Sequence, residues 1–112
     1  KKNTSDMVLT MDELMTKGES VYKAQCLACH QANGQGVPGV FPALAGSAIA
    51  IEPANRLGHL HRIIYGKNLM PAFGEQLSDV EIAAVTTYER NAWGNDTGDI
   101  VQAKEVSEAR SK

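Results

Sequence analysis

The sequence predicts an all-α fold of three to five helices, and three observations carry that prediction. Two capping-box patterns each open a run of apolar residues at helical spacing. No segment alternates apolar and polar residues as a half-buried strand would. A stretch of roughly 25 residues, rich in Gly and Pro and without periodicity, separates the helical segments and is too long for an ordinary connection. At 112 residues the chain is one domain. It divides into a polar lead-in or linker over 1–9, the domain proper over 10–94 and a polar C-terminal extension over 95–112. The first residue is Lys rather than Met, which predicts a processed or excised piece.

The first helix is expected from Met11 to Ala24. The Thr10 hydroxyl can accept from the amide of Glu13, whose carboxylate reaches back, and Asp12 and Glu13 suit the positive end of the helix dipole. Met11, Leu14, Met15, Gly18, Val21 and Tyr22 then fall on one face. Gly18 costs about 1 kcal/mol relative to Ala in a helix interior, a loss that a close crossing by another helix would offset. Asn55 to Tyr65 is a shorter helix, stopped by Gly66. Ser78-Asp79-Val80-Glu81 repeats the capping box; Ile82, Val85, Tyr88 and Ala92 line one face, and Gly94 ends the helix. A last short helix is expected around Gln102–Ala109.

Composition narrows the function. A net charge of −2 argues against nucleic acid, which calls for a basic surface. No apolar run is long enough to span a membrane. Aromatic residues are only 5% of the chain, so something other than large side chains is expected to fill the interior. The long segment between His30 and Asn55 points the same way, because its glycines let backbone pass close to a flat surface. Together these predict a bound group at the core.

Cys26-Leu27-Ala28-Cys29-His30 supplies the means to hold one. CxxCH is the attachment signature of c-type haem. Residues three apart share a helical face, so both thiols can reach the two vinyl groups of one porphyrin, and His30 can turn its imidazole under the iron. Three other readings compete. A thioredoxin-like redox pair sits in a βαβ setting, and no strands are expected here. Zinc held by Cys26, Cys29 and two of His30, His59 and His61 lacks finger-like spacing. A Cys26–Cys29 disulfide would close only a small ring. Haem alone also accounts for the loop and the composition.

His30 leaves a sixth iron position to be filled by Met7, Met11, Met15, Met70, His59 or His61. Met11 and Met15 lie on the core face of the first helix, where methionine packs; Met7 is in the lead-in. Met70 follows a helix stop and precedes Pro71, whose ring stiffens the chain, so it sits on a loop that can present its thioether; Met/His ligation is an established haem mode. His59 and His61 stand two apart and point to different sides of a helix; they read as surface or half-buried, with a propionate contact as the alternative. Trp93, Tyr65 and Arg56 are further propionate candidates beside ordinary packing roles. The ring N–H of His30 needs an acceptor, which the Pro42 carbonyl can provide.

CxxCH beside the first helix, Pro42-x-Leu44-x-Gly46, Met70-Pro71-Ala72-Phe73-Gly74 and a capped C-terminal helix resemble class I cytochrome c over Glu13 to Ala92. The resemblance implies that fold, wrapped around one covalently bound haem c. Its N- and C-terminal helices would cross at Gly18, Tyr22 and Tyr88. It also implies His30 and Met70 as iron ligands, Cys26 and Cys29 as attachment points, Pro42 as hydrogen-bond acceptor from His30, and Leu44 packed on the haem. A narrower resemblance runs through Gly34–Leu44, Thr87–Asn95 and Gly98–Gln102, to the cytochrome c domain fused to subunit II of some bacterial haem–copper oxidases. One departure is Ala103, where those domains often carry Pro.

The resemblance implies electron transfer in a respiratory chain rather than catalysis by this domain alone. A donor cytochrome c or cytochrome bc complex would supply electrons, and the copper-containing domain of the same oxidase subunit would accept them, on the periplasmic side of the bacterial membrane. Val37, Val40, Phe41, Ala72 and Phe73 are expected to ring an exposed haem edge, as small redox interfaces do. Near-balanced charge predicts mild salt dependence of reduction by the donor. The alternatives are a stand-alone periplasmic carrier and a gas-binding or peroxidase-like module with a vacant sixth position.

Overall fold

The computed structural model describes residues 7–26, 34–36, 45–46, 56–66 and 72–110. Among them the chain forms four helices and no strand: α1 (Met11–Gln25), α2 (Arg56–Tyr65), α3 (Asp79–Asn91) and α4 (Ala103–Arg110). Both capping boxes form. Thr10 caps α1, with Glu13 N–H donating to Thr10 Oγ1 and Thr10 N–H to Glu13 Oε1; Ser78 and Glu81 do the same for α3. Gly66, with φ +77°, closes α2.

The main packing contact is between α1 and α3. A Cβ on Gly18 would strike the Ala84 carbonyl oxygen and lie 2.6 Å from Tyr88 Cβ, so only glycine permits this approach. Tyr22, Tyr88 and Trp93 cluster beside the crossing, with ring centroids 4.9–5.5 Å apart. That distance suits offset and edge-on aromatic pairs, each contributing about 0.5–1.5 kcal/mol beyond area burial. Half of the chain's six aromatic residues are thus spent on one contact.

Two expectations about the C-terminal part are corrected. The face of Ile82 and Val85 is buried, but α3 is not one-sided: Val80, Ala83, Ala84, Thr86, Thr87, Glu89 and Arg90 are buried too. The helix runs through the middle, against α1, α2 and α4, and its polar residues find partners there. Thr86 and Thr87 donate to the Ile82 and Ala83 carbonyls, and Arg90 binds the Asp99 carboxylate at 2.7 Å. The helix also ends earlier than Gly94: Ala92 is the C-cap, and Trp93 itself takes φ +58°. A left-handed tryptophan costs about 1–2 kcal/mol, which its packing on two tyrosines offsets.

Residues 95–110, expected as part of a polar C-terminal extension, pack onto the domain. Val101, Ala103, Val106 and Ala109 are buried, and Val101, Val106 and Ala109 join the core cluster with Leu60, Ile63 and Ile82. Thr87 Oγ1 accepts from Val101 N–H, and Asn91 donates to the Asp99 carbonyl. Four apolar residues in a charged stretch are a weak hydropathy signal, but they all face one way. Ala103 occupies the first turn of α4, with Gln102 O accepting from Glu105 and Val106. Proline is well tolerated at that position, so the helix start at Ala103 does not depend on the departure from the resembled domains.

Candidate haem site

Cys26 sits at the C-cap of α1, in αR conformation, with its N–H donating to the Tyr22 carbonyl at 2.8 Å. It is 7% exposed and belongs to the core cluster. The helix therefore delivers the first residue of the CxxCH motif to the interior, beside the α1–α3 crossing. Cys29, His30, Pro42, Leu44 and Met70 lie outside the described residues, as do Val37, Val40, Phe41 and the side chain of Arg56. The described residues fix the ends of the loops that carry them.

Within the Gly/Pro-rich segment the stretch from Gly34 to Gly46 is tied at both ends. Ala45 N–H donates to the Gly34 carbonyl at 3.0 Å, closing the loop that holds Pro42 and Leu44, and Gly46 N–H donates to Asn95 Oδ1 at 2.7 Å. Asn95 in turn donates to the Glu89 carbonyl at 2.9 Å, anchoring the loop on the end of α3. Gly34 has φ +71°, and a Cβ there would lie 2.6 Å from the Trp93 ring. At this position the flat surface that demands glycine is an indole of the chain itself.

The segment carrying Met70 is closed more tightly. Gly66 N–H donates to Arg62 O at 2.9 Å as the chain leaves α2. Phe73 N–H and Gly74 N–H return to Ile63 O and Ile64 O at 2.9 and 3.0 Å. Both ends thus rest on consecutive carbonyls of one helical turn. Phe73 is 6% exposed and part of the core, so it does not belong to a surface ring; Ala72 is exposed.

His59 corrects the reading of the two histidines. His61 is half-buried, its ring edge-on to Tyr65. His59 is 2% exposed, and its Nε2 lies 2.6 Å from Glu89 Oε1, which is also buried. Nδ1 is buried and has no hydrogen-bond partner among the described residues. Glu89 also faces Tyr22, whose phenol is pushed above its ordinary range by burial first and by the Glu89 charge second. Burial, then Glu19 and Glu89, raise Tyr88 likewise. Tyr22 thus lies within electrostatic reach of both Glu89 and Cys26, and Glu89 in turn pairs with His59.

These residues fit a haem. A buried thiol at a helix end is placed for a thioether, and His59 Nδ1, buried without a partner among the described residues, leaves room for a further polar group. Glu89 and Asn95 were not singled out by sequence reasoning. Nothing in the local pattern marks either residue, because their partners stand 30 and 49 residues away.

Comparison with known proteins agrees. The family model described as cytochrome C oxidase, cbb3-type, subunit III matches residues 13–88. Cytochrome c-552 of Thermus thermophilus is 39% identical over 70% of this chain and 69% of its own. Cytochrome c6 of the alga Gracilaria tenuistipitata var. liui is 34% identical over 79% and 82%. The gluconate 2-dehydrogenase cytochrome c subunit of Pantoea cypripedii is 29% identical over 97% of this chain, which spans only 30% of that subunit. The chain belongs to this family of cytochrome c domains, electron carriers whose cofactor is covalently bound haem c.

Proposed function

We propose that this domain relays single electrons through a haem c attached at Cys26 and Cys29, with His30 and Met70 as the two iron ligands. When bound, the haem supplies a ferric/ferrous couple, and a Met/His pair raises its potential. The observation that carries the reading is the CxxCH motif issuing from the buried C-terminus of α1. The chain's own residues do the rest. In this reading Pro42 would accept from the His30 ring and Leu44 would pack beside the haem, as the resemblance implies. Gly34, Asn95 and Trp93 hold the ends of the loop between them. With His30 and Met70 both holding the iron, no position would remain for substrate and little would need to reorganise.

The acceptor in this reading is the dinuclear copper centre of a haem–copper oxidase subunit II, to which the domain is joined, on the periplasmic side of the bacterial membrane. The donor is a cytochrome c or cytochrome bc complex. Gly34–Leu44, Thr87–Asn95 and Gly98–Gln102 support this assignment by resemblance. The relatives include subunits of dehydrogenases as well as free carriers, so a separate periplasmic carrier is the competing reading.

The test is an absorption spectrum of the haem-loaded protein, oxidised and reduced, with and without carbon monoxide. A c-type reduced spectrum unchanged by the gas is expected, and Met70→Ala should bind it and show a lower potential. A parent that binds carbon monoxide as readily as the variant would sink Met70 as ligand and favour a gas-binding module. Electron transfer to a purified copper domain, compared with transfer to a dehydrogenase, separates the two partner readings.

A further inference from the structure

The last residue of α4 reaches back to the Met70 loop. Arg110 Nη1 donates to Gly74 O at 2.6 Å and Nη2 to Leu77 O at 3.0 Å, while Nε lies 2.6 Å from Asp79 Oδ1. Its own carbonyl accepts from Tyr65 Oη at 2.9 Å. One residue therefore joins the end of α2, the chain returning from Met70 and the start of α3. The Gly74 backbone is wedged between Ile64 and this guanidinium: a Cβ there would lie 2.8 Å from Ile64 O and 3.3 Å from Arg110 Nη1. Charge-assisted bonds from a planar guanidinium are strong and directional.

We propose that Arg110 is a positioning residue for Met70, clamping the returning limb of its loop so that the thioether stays on the iron. The inference rests on the ligand assignment above. The leaving limb is set by the helical bond from Gly66 to Arg62. Among the described residues the returning limb has two amide bonds to α2 and the two Arg110 bonds, so removing the guanidinium takes away two of those four hydrogen bonds. The loop then gains conformations in which Met70 is off the iron, and competing ligands gain by the same factor.

The experiment uses haem-loaded protein in the ferric state. It follows the long-wavelength sulfur-to-iron charge-transfer band while pH is raised, and the affinity for added imidazole. Arg110→Ala should bind imidazole about tenfold more tightly and lose the band at a pH about one unit lower, as expected for the loss of a charge-assisted anchor. Arg110→Lys keeps the charge beside Asp79 but cannot span both carbonyls, so an intermediate shift is expected; it decides the matter if the alanine variant does not fold. Val106→Ala weakens α4 packing elsewhere and should lower the melting temperature while leaving imidazole affinity unchanged. Equal imidazole affinity in parent and Arg110 variants overturns the proposal, as does an equal rise in Val106→Ala. A parent whose band and affinity match those of Met70→Ala overturns the ligand assignment itself, a result distinct from either.

Discussion

Where α1 crosses α3, the contact is made of absent volume and aromatic rings; where the end of α4 meets the 74–79 segment, it runs through one guanidinium and the oxygens of Gly74, Leu77 and Asp79. The crossing depends on shape, since Gly18 admits the Ala84 backbone and Tyr22 and Tyr88 fill the space beside it. The corner depends on direction, since each Arg110 bond must point at one atom. Shape contacts fail by overpacking and directional contacts by loss of a donor. The difference therefore predicts which substitutions each region tolerates.

The largest effect is expected at the crossing. Gly18→Val places a branched carbon on the Ala84 carbonyl and should cost about 3 kcal/mol, at the upper end for overpacking. Urea unfolding of the haem-loaded protein measures it, and a loss under about 1 kcal/mol would mean the helices do not meet so closely. At the corner, Gly74→Ala should cost less. Ile64 Cγ2 and the guanidinium tip can move even though the Ile64 carbonyl cannot. A loss of about 1 kcal/mol is expected, or a melting temperature lower by about 5 °C. If Gly74→Ala proves as damaging as Gly18→Val, the corner is as rigid as the crossing and the contrast fails.

The smallest effect at neutral pH, and the one that sharpens the contrast, comes from Tyr22→Phe. Burial and Glu89 hold the Tyr22 phenol protonated beyond its ordinary value of 10.0. The unfolded chain releases that proton near pH 10 and the folded one retains it, so the folded state binds more protons there. The associated stability is complete below about pH 10 and falls as pH rises beyond it. Removing the hydroxyl should flatten the decline measured by urea unfolding between about pH 9 and 11. Tyr88, also raised, keeps part of the slope. An unchanged decline would show that the crossing does not shield Tyr22 from ionising.

The elements were largely legible because their signals are local. Thr10 with Glu13 and Ser78 with Glu81 mark helix starts within four residues, and Gly66 marks a stop. The CxxCH motif is legible for the same reason, since it is written in five consecutive residues. His59 was misread as a surface or half-buried residue because an imidazole carries no mark of its burial until Glu89, 30 positions on, closes on it. The tail was read as polar because its charge outweighs Val101, Val106 and Ala109, and burial follows facing rather than average hydropathy.

The sequence by itself determined what can be decided over a turn or a short spacing: four helix positions, the glycine at the crossing and a covalently bound haem c as the cofactor. Only the tertiary structure decided that α3 is buried on every side, that Phe73 belongs to the core and that Gly34 yields to an indole. It also joined Glu89 to His59 and Arg110 to the Met70 loop. Those are contacts between residues tens of positions apart, and nothing in a residue's neighbours specifies which distant atom will come within hydrogen-bond reach once the helices have packed.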